Sequence, residues 1–183
     1  KVSDSGVISI MGGKLTTYRK MSEHTVDEVV KHTGKAKKCK TKNLQFIGAK
    51  GFKPSMKNGA DAHLADRFGS ELNRVKELIA HDSSLGEPLI NGLPYLRAEA
   101  VYAVTHEMAT SIDDILSRRT RARLLNRRAS VSAARATAEL VSPLLGWDDA
   151  QCSASIAEFI DACAREDAAA MVTEQEFIDS HKG

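Results

Sequence analysis

Residues 6–10 read GVISI, a β-branched run bounded by Gly6 and Gly12. That pattern predicts a short buried strand. The period then changes. Tyr18, Met21, Thr25 and Val29 recur at helical steps, predicting a helix over residues 15–31 with Gly34 as its terminator. Residues 34–42, GKAKKCKTK, have little to bury, and residues 43–54 read as an extended connection. Every later apolar pattern is helical. One short helix is expected over residues 60–68. A second spans residues 71–80, with Leu72, Val75, Leu78 and Ile79 inward. After a loop over residues 85–93, a helix over residues 95–108 turns Leu96, Val101, Val104 and Met108 inward. Ser111 is placed to cap the next helix, with Asp113 and Asp114 in its first turn and a bent continuation to Asn126. Ser130 is expected to cap a helix carrying Val131, Ala134, Ala138, Val141 and Leu145. Pro143 bends or shortens that helix, and Gly146 stops it. Asp148 and Gln151 have capping-box spacing, with Trp147 as a staple before them. The stripe behind them is Cys152, Ile156, Phe159, Ile160 and Cys163. A last short helix is expected over residues 173–181.

The predicted fold class is therefore mostly α. A strand–helix unit occupies residues 1–33, a linker residues 34–56, and a small helical bundle of about six helices residues 57–183. A single buried-type strand has no stability alone, so its partners are expected upstream of Lys1.

Composition adds limits. Hydrophobic residues make up 42% of the 183 residues and aromatics only 5%, so aliphatic side chains and alanine must fill the core. A net charge of +2 gives no general argument for nucleic acid. The three cysteines Cys39, Cys152 and Cys163 lack CxxC spacing. They form neither a disulfide framework nor a zinc site. Cys152 and Cys163 fall on the apolar stripe of one predicted helix and are expected to be buried thiols, in a reducing, cytoplasmic setting. No apolar run reaches membrane-spanning length.

The most informative chemistry lies at residues 12–17, GGKLTT. Gly12 and Gly13 allow close backbone approach. The first N–H groups of the following helix are unpaired and electropositive. Lys14 adds a full charge, and Thr16 and Thr17 add hydroxyls. Such a turn suits a phosphate, a carboxylate or an electron-rich ring edge. It equally suits a plain strand-to-helix turn with its lysine in solvent. It is not a Walker A loop, and no GxGxxG occurs anywhere in the chain.

The stretches GVISIMGGKLTTYRKMSEHTVDEVV, YLRAEAVYAVTHEMATSIDDILSRRTRARLLN and ELVSPLLGWDDAQ resemble FAD-dependent glycerol-3-phosphate dehydrogenases. The resemblance runs from Asp4 to about Phe159. It implies that residues 1–33 are the last strand and helix of an FAD-binding domain. The remainder would be that family's helical C-terminal domain. Gly12, Gly13, Lys14, Leu15 and Thr16 would lie against the flavin, and Lys14 would also hold the substrate. The implied reaction oxidises sn-glycerol 3-phosphate to dihydroxyacetone phosphate, with a hydride passing to FAD and electrons onward to quinone. The family's remaining substrate arginines, its catalytic histidine and its FAD pyrophosphate site would all lie upstream of Lys1. The chain alone is thus expected to be inactive and flavin-free. Its implied partners are the upstream flavin domain, a second copy in a homo-oligomer, and an anionic membrane surface. The parent would sit peripherally at the inner face of the cytoplasmic membrane. No DxDxDG loop is present, so calcium is not implied.

Other motifs are weaker. His106-Glu107 opens like HExxH, but Thr110 stands where the second histidine belongs. His24, His32, His63, His81 and His181 form no ligand spacing and read as surface residues. Arg118, Arg119, Arg121, Arg123, Arg127 and Arg128 form a basic cluster without an internal acid. It reads first as a face ion-paired to other helices, then as a contact with the flavin domain or another subunit. A phosphate-rich partner, anionic lipid or nucleic acid, is the least favoured reading, and for nucleic acid no turn glycine separates two helices of the right length. A stand-alone helical interaction module is the remaining alternative.

Overall fold

The computed structural model describes residues 1–34, 37, 39–57 and 61–171. Among them are seven α-helices and no strand. The chain divides into two compact units, residues 1–50 and 51–183.

In the first unit the expected strand does not form. A single antiparallel bridge joins Val2 and Ile8, with the Ser9 N–H donating to the Lys1 carbonyl at 2.8 Å. Val7 and Ile10 are exposed. One bridge supplies no ladder and no covered face, so the β pattern has nothing to pair with. The strand–helix unit is therefore seen as a bend, a 3₁₀ turn (Leu15–Thr17) and helix α1 (Tyr18–Thr33). Gly34 ends α1 in the left-handed conformation, its N–H donating to the Val30 carbonyl. No residue of α1 is buried. The Arg19 guanidinium ties the helix to the following segment through Thr41, at 3.2 Å.

The second unit carries helices α2 (Ala62–Phe68), α3 (Leu72–His81), α4 (Arg97–Glu107), α5 (Ala122–Leu125), α6 (Arg127–Leu145) and α7 (Asp149–Ala170). Two apolar clusters hold it together. Leu64, Phe68, Leu72 and Val75 join α2 and α3 to one side of α4. Ile112, Ile115, Leu116, Ala138, Val141 and Phe159 gather α6, α7 and the 112–116 segment on the other. Helix α4 is the divider. Ala98, Glu99, Ala100, Val101, Tyr102 and Ala103 are all buried. A helix covered on every side needs small residues where neighbours come close, and its alanines provide them.

Several local expectations hold for direct physical reasons. The Asp148 carboxylate accepts the Gln151 N–H at 2.7 Å, and the Gln151 side chain accepts the Asp148 N–H at 3.0 Å. Ser111 Oγ accepts the Asp114 N–H at 3.0 Å. The segment after Ser111 becomes a π-helix over Asp114–Arg119. Both the N–H and the hydroxyl of buried Thr120 donate to the Ile115 carbonyl at 2.8 Å. Arg121 then takes φ +60° and α5 begins, which is the expected bend.

Others need correction. Asn126, not Ser130, caps α6: its side-chain oxygen accepts the Ala129 N–H at 3.0 Å. Ser130 is fully buried, and its hydroxyl bonds back to the Asn126 carbonyl at 2.9 Å. Helix α6 runs through Pro143 to Leu145. Met108 does not face inward. It ends α4 in the left-handed conformation and is 82% exposed. Ile160 is exposed because it falls one position, about 100°, past Phe159 on the helix. Met21 and Thr25 are only half-buried on α1. The helix expected over residues 173–181 lies outside the described residues, as does His181.

Candidate functional site

The residues proposed to meet a cofactor are contiguous and exposed. Gly12 has φ +124°, and a Cβ built there meets the Met21 Cε at 3.3 Å. The backbone geometry favours glycine, and any side chain there would make the Met21 terminus shift by a few tenths of an ångström. At Gly13 a Cβ meets nothing within 4 Å. Lys14 is the last extended residue before the helical turn. Its carbonyl accepts the Thr17 N–H and the Thr17 hydroxyl, each at 3.0 Å. The N–H groups of Leu15 and Thr16 therefore precede the first intrahelical bond and point outward as orphan donors. Leu15 is 85% exposed. The turn presents donors, a lysine ammonium and open space above Gly13. The arrangement fits the electron-rich edge of a flavin ring. It has no cradle for the rest of a dinucleotide. A groove of about 560 Å³ runs along α1 past Tyr18, Val26, Thr41, Leu44 and Phe46 and does not include the turn.

The second unit contains a buried ionic centre that sequence reasoning missed. The Glu99 side chain is fully buried. One carboxylate oxygen accepts the Leu96 N–H at 2.9 Å and lies 3.1 Å from His63 Nε2. The other lies 2.7 Å from Arg67 Nε. The Arg67 N–H direction misses that oxygen, leaving both atoms without an aligned hydrogen bond, so the contact is Coulombic. Arg67 Nη2 also donates to the Arg119 carbonyl at 2.7 Å. Its guanidinium lies 5.0 Å from the centre of the Tyr95 ring, whose edge meets His63. His63 is thus part of a network, not the plain surface histidine expected. The only signal in the sequence is a glutamate three residues into α4, where it reaches back to the helix start.

The arginine cluster is largely ion-paired within its own unit. Arg118 meets Asp113 at 2.5 Å and Asp114 at 3.1 Å. Arg123 meets Asp113 at 2.8 Å and Glu166 at 2.5 Å, lying over Phe159. Arg127 bridges Glu166 and Asp167. Arg119 donates to the Glu107 carbonyl at 2.7 and 3.1 Å.

Burial alone would raise the Asp113 pKa. Hydrogen bonds from Ser117, Arg118 and Arg123 outweigh it and hold the carboxyl below its usual range. A depressed carboxyl contributes stability that is complete above its unfolded-state pKa and is lost as pH falls through the native value. Asp113→Asn is therefore expected to lower stability at neutral pH and to flatten the loss on acidification. Urea midpoints measured from neutral into acid pH check this, and an unchanged acid slope contradicts it.

No group of three or more metal-ligating side chains occurs among the described residues. His106 stacks on Tyr102 with ring centres 4.5 Å apart. Burial holds the Cys163 thiol above its ordinary pKa, as suits an inert core cysteine.

The family model for the C-terminal domain of alpha-glycerophosphate oxidase matches residues 39–152. The chain belongs to that family. Glycerol-3-phosphate dehydrogenase 2 of Mycobacterium tuberculosis (strain ATCC 25618 / H37Rv) is 33% identical over 173 residues, covering 87% of this chain and 29% of the relative. Glycerol-3-phosphate dehydrogenase 1 of the same strain is 43% identical over 130 residues, covering 68% of this chain and 25% of the relative. A mitochondrial glycerol-3-phosphate dehydrogenase of Arabidopsis thaliana is 33% identical over 170 residues, 78% of this chain and 27% of its own length. The chain thus spans less than a third of these relatives. No solved structure matches it. The Glu99 centre, the π-helix and the arginine cluster all fall inside the alpha-glycerophosphate oxidase match, whereas Gly12 to Thr16 precede it.

Proposed function

We propose that this chain is the C-terminal part of a flavin-dependent dehydrogenase that oxidises sn-glycerol 3-phosphate to dihydroxyacetone phosphate and passes the electrons to quinone. The observation that carries this reading is 33–43% identity to several glycerol-3-phosphate dehydrogenases. The exposed Gly12–Thr16 turn supports it, since it offers what a flavin edge needs. FAD, when bound, supplies the two-electron oxidation. The turn's own tasks are limited. The Leu15 and Thr16 N–H groups stabilise negative charge placed over them. Gly12 and Gly13 keep side chains out of the way. Lys14 holds the substrate phosphate or the C2 oxygen, which stays on carbon and gains negative charge as its hydroxyl proton is lost.

The helical unit provides a packed body against the upstream flavin domain, and the isolated chain neither retains flavin nor turns over. No helix among the described residues is long and apolar enough to cross a membrane. The parent is placed peripherally at the inner membrane face, with Lys37, Lys40 and Lys42 available to anionic lipid.

Lys14→Ala in the full-length enzyme is expected to lower kcat/KM for glycerol 3-phosphate about a hundredfold without changing thermal stability, because the side chain is exposed. Steady-state kinetics beside a melting curve test this. Unchanged kinetics would remove Lys14 from the site.

A further inference from the structure

No residue from Gly12 to Thr17 is buried, so packing does not set the shape of this turn. Thr17 does. The Lys14 carbonyl accepts two bonds from that one residue, from its N–H and from its hydroxyl, each at 3.0 Å. Ser22 and Thr25 also bond back to carbonyls, at 2.9 Å, but those belong to Tyr18 and Met21 within α1. Lys14 differs, because it is the extended residue before the helical turn. A trans peptide is a rigid plane whose C=O and N–H point in opposite directions. The Lys14 carbonyl and the Leu15 N–H share one such plane. Drawing the carbonyl towards Thr17 therefore turns the Leu15 N–H away from the helix. Met21 spans the same turn. Its Sδ lies 3.5 Å from the Thr17 hydroxyl, and its Cε is the atom that a Cβ on Gly12 would meet. A hydroxyl has one proton to donate, and a thioether is the weaker acceptor. The carbonyl takes that proton, and Met21 is left as packing.

We propose that Thr17 is a positioning residue, whose hydroxyl fixes the Lys14–Leu15 peptide and so aims the Leu15 N–H at the flavin edge. This rests on the reading above that the turn lies against a flavin. Thr17 acts through Lys14 and Leu15 and needs no contact with cofactor or substrate. Donors aimed in advance stabilise developing charge without reorganisation. A peptide held by two hydrogen bonds swings less than one held by a single bond, and an exposed turn has no packing to replace the second.

The test compares Thr17→Val and Thr17→Ser with wild type in the full-length enzyme. Valine keeps the branching and removes the hydroxyl, whereas serine keeps the hydroxyl. Both should melt close to wild type, because Thr17 is exposed. In Thr17→Val the equilibrium for flavin reduction should weaken about tenfold, a midpoint potential lower by about 30 mV for two electrons. The kcat for glycerol 3-phosphate should fall about tenfold with it. Thr17→Ser should restore both. If Thr17→Val purifies without flavin, titration with FAD takes the place of the potential. A Kd raised about tenfold by valine and restored by serine then supports the role. A potential and kcat equal to wild type in Thr17→Val overturn it. So does a defect that serine fails to restore, or a lower melting temperature with an unchanged potential, which marks a structural role alone. The wild-type spectrum separates this role from the reading beneath it. A wild type without flavin, or with flavin that glycerol 3-phosphate does not reduce, defeats the enzyme reading and the role together. A normally reduced wild type beside an unaltered Thr17→Val defeats the role of Thr17 alone.

Discussion

Glu99→Ala is expected to cost the helical unit about 3–5 kcal/mol, the range for breaking a buried ion pair on one side. The reason is the set of groups left behind. Arg67, 20% exposed, would lose the carboxylate 2.7 Å away. The Leu96 N–H and His63 would lose their acceptor. A fully enclosed side chain would also be replaced by a void in the most covered helix of the unit. Glu99→Gln should fall between, since its carbonyl can still accept from Leu96 while the charge facing Arg67 is gone. Urea unfolding followed by circular dichroism measures both. A loss below about 1 kcal/mol for the alanine variant would mean that the centre contributes no more than an exposed pair. The consequence reaches the end of α4, because Arg67 also holds Arg119, and Arg119 holds the Glu107 carbonyl there.

Gly13→Val should abolish flavin retention in the full-length enzyme while leaving its folding intact. A Cβ at Gly13 meets open space within the chain, and Gly13 is absent from the positive-φ glycines. The substitution therefore carries no steric penalty of its own. What it would block is approach of a ring to the backbone N–H groups that follow. Gly12→Val is a poorer probe, because φ +124° and the Met21 contact make it a folding defect as well. The readout is visible absorption of the purified protein beside its melting temperature. A normally yellow Gly13→Val protein, melting as wild type does, would detach the turn from the flavin.

How far the sequence foretells these features depends on how local their causes are. The Asp148–Gln151 capping box, the Gly34 and Gly146 terminators and the Asp113–Asp114 first turn are legible because each is settled within four residues. The strand over residues 6–10 is not, since a β pattern needs a partner strand and this segment finds only the single Val2–Ile8 bridge. Ser130 carries cap chemistry, but Asn126 has it too and lies at the true helix start. The inward face of α4 is hidden because residues 98–103 are all buried, which erases the amphipathic signal and conceals Glu99. The ion pairing of the arginine cluster is partly legible, in that Asp113 and Asp114 lie one turn before Arg118. Its partners Glu166 and Asp167 are tertiary and are not. The Gly12–Thr16 turn is legible as a place where an anionic or polar group could rest. Only the family motif around it singles out a flavin.

The most direct test of the central claim is the visible spectrum of the full-length protein carrying this chain, recorded without oxygen before and after glycerol 3-phosphate. The account predicts a yellow protein whose flavin band bleaches on addition, about a hundredfold more slowly with Lys14→Ala. A colourless protein, or a flavin band that glycerol 3-phosphate leaves unchanged, would contradict it.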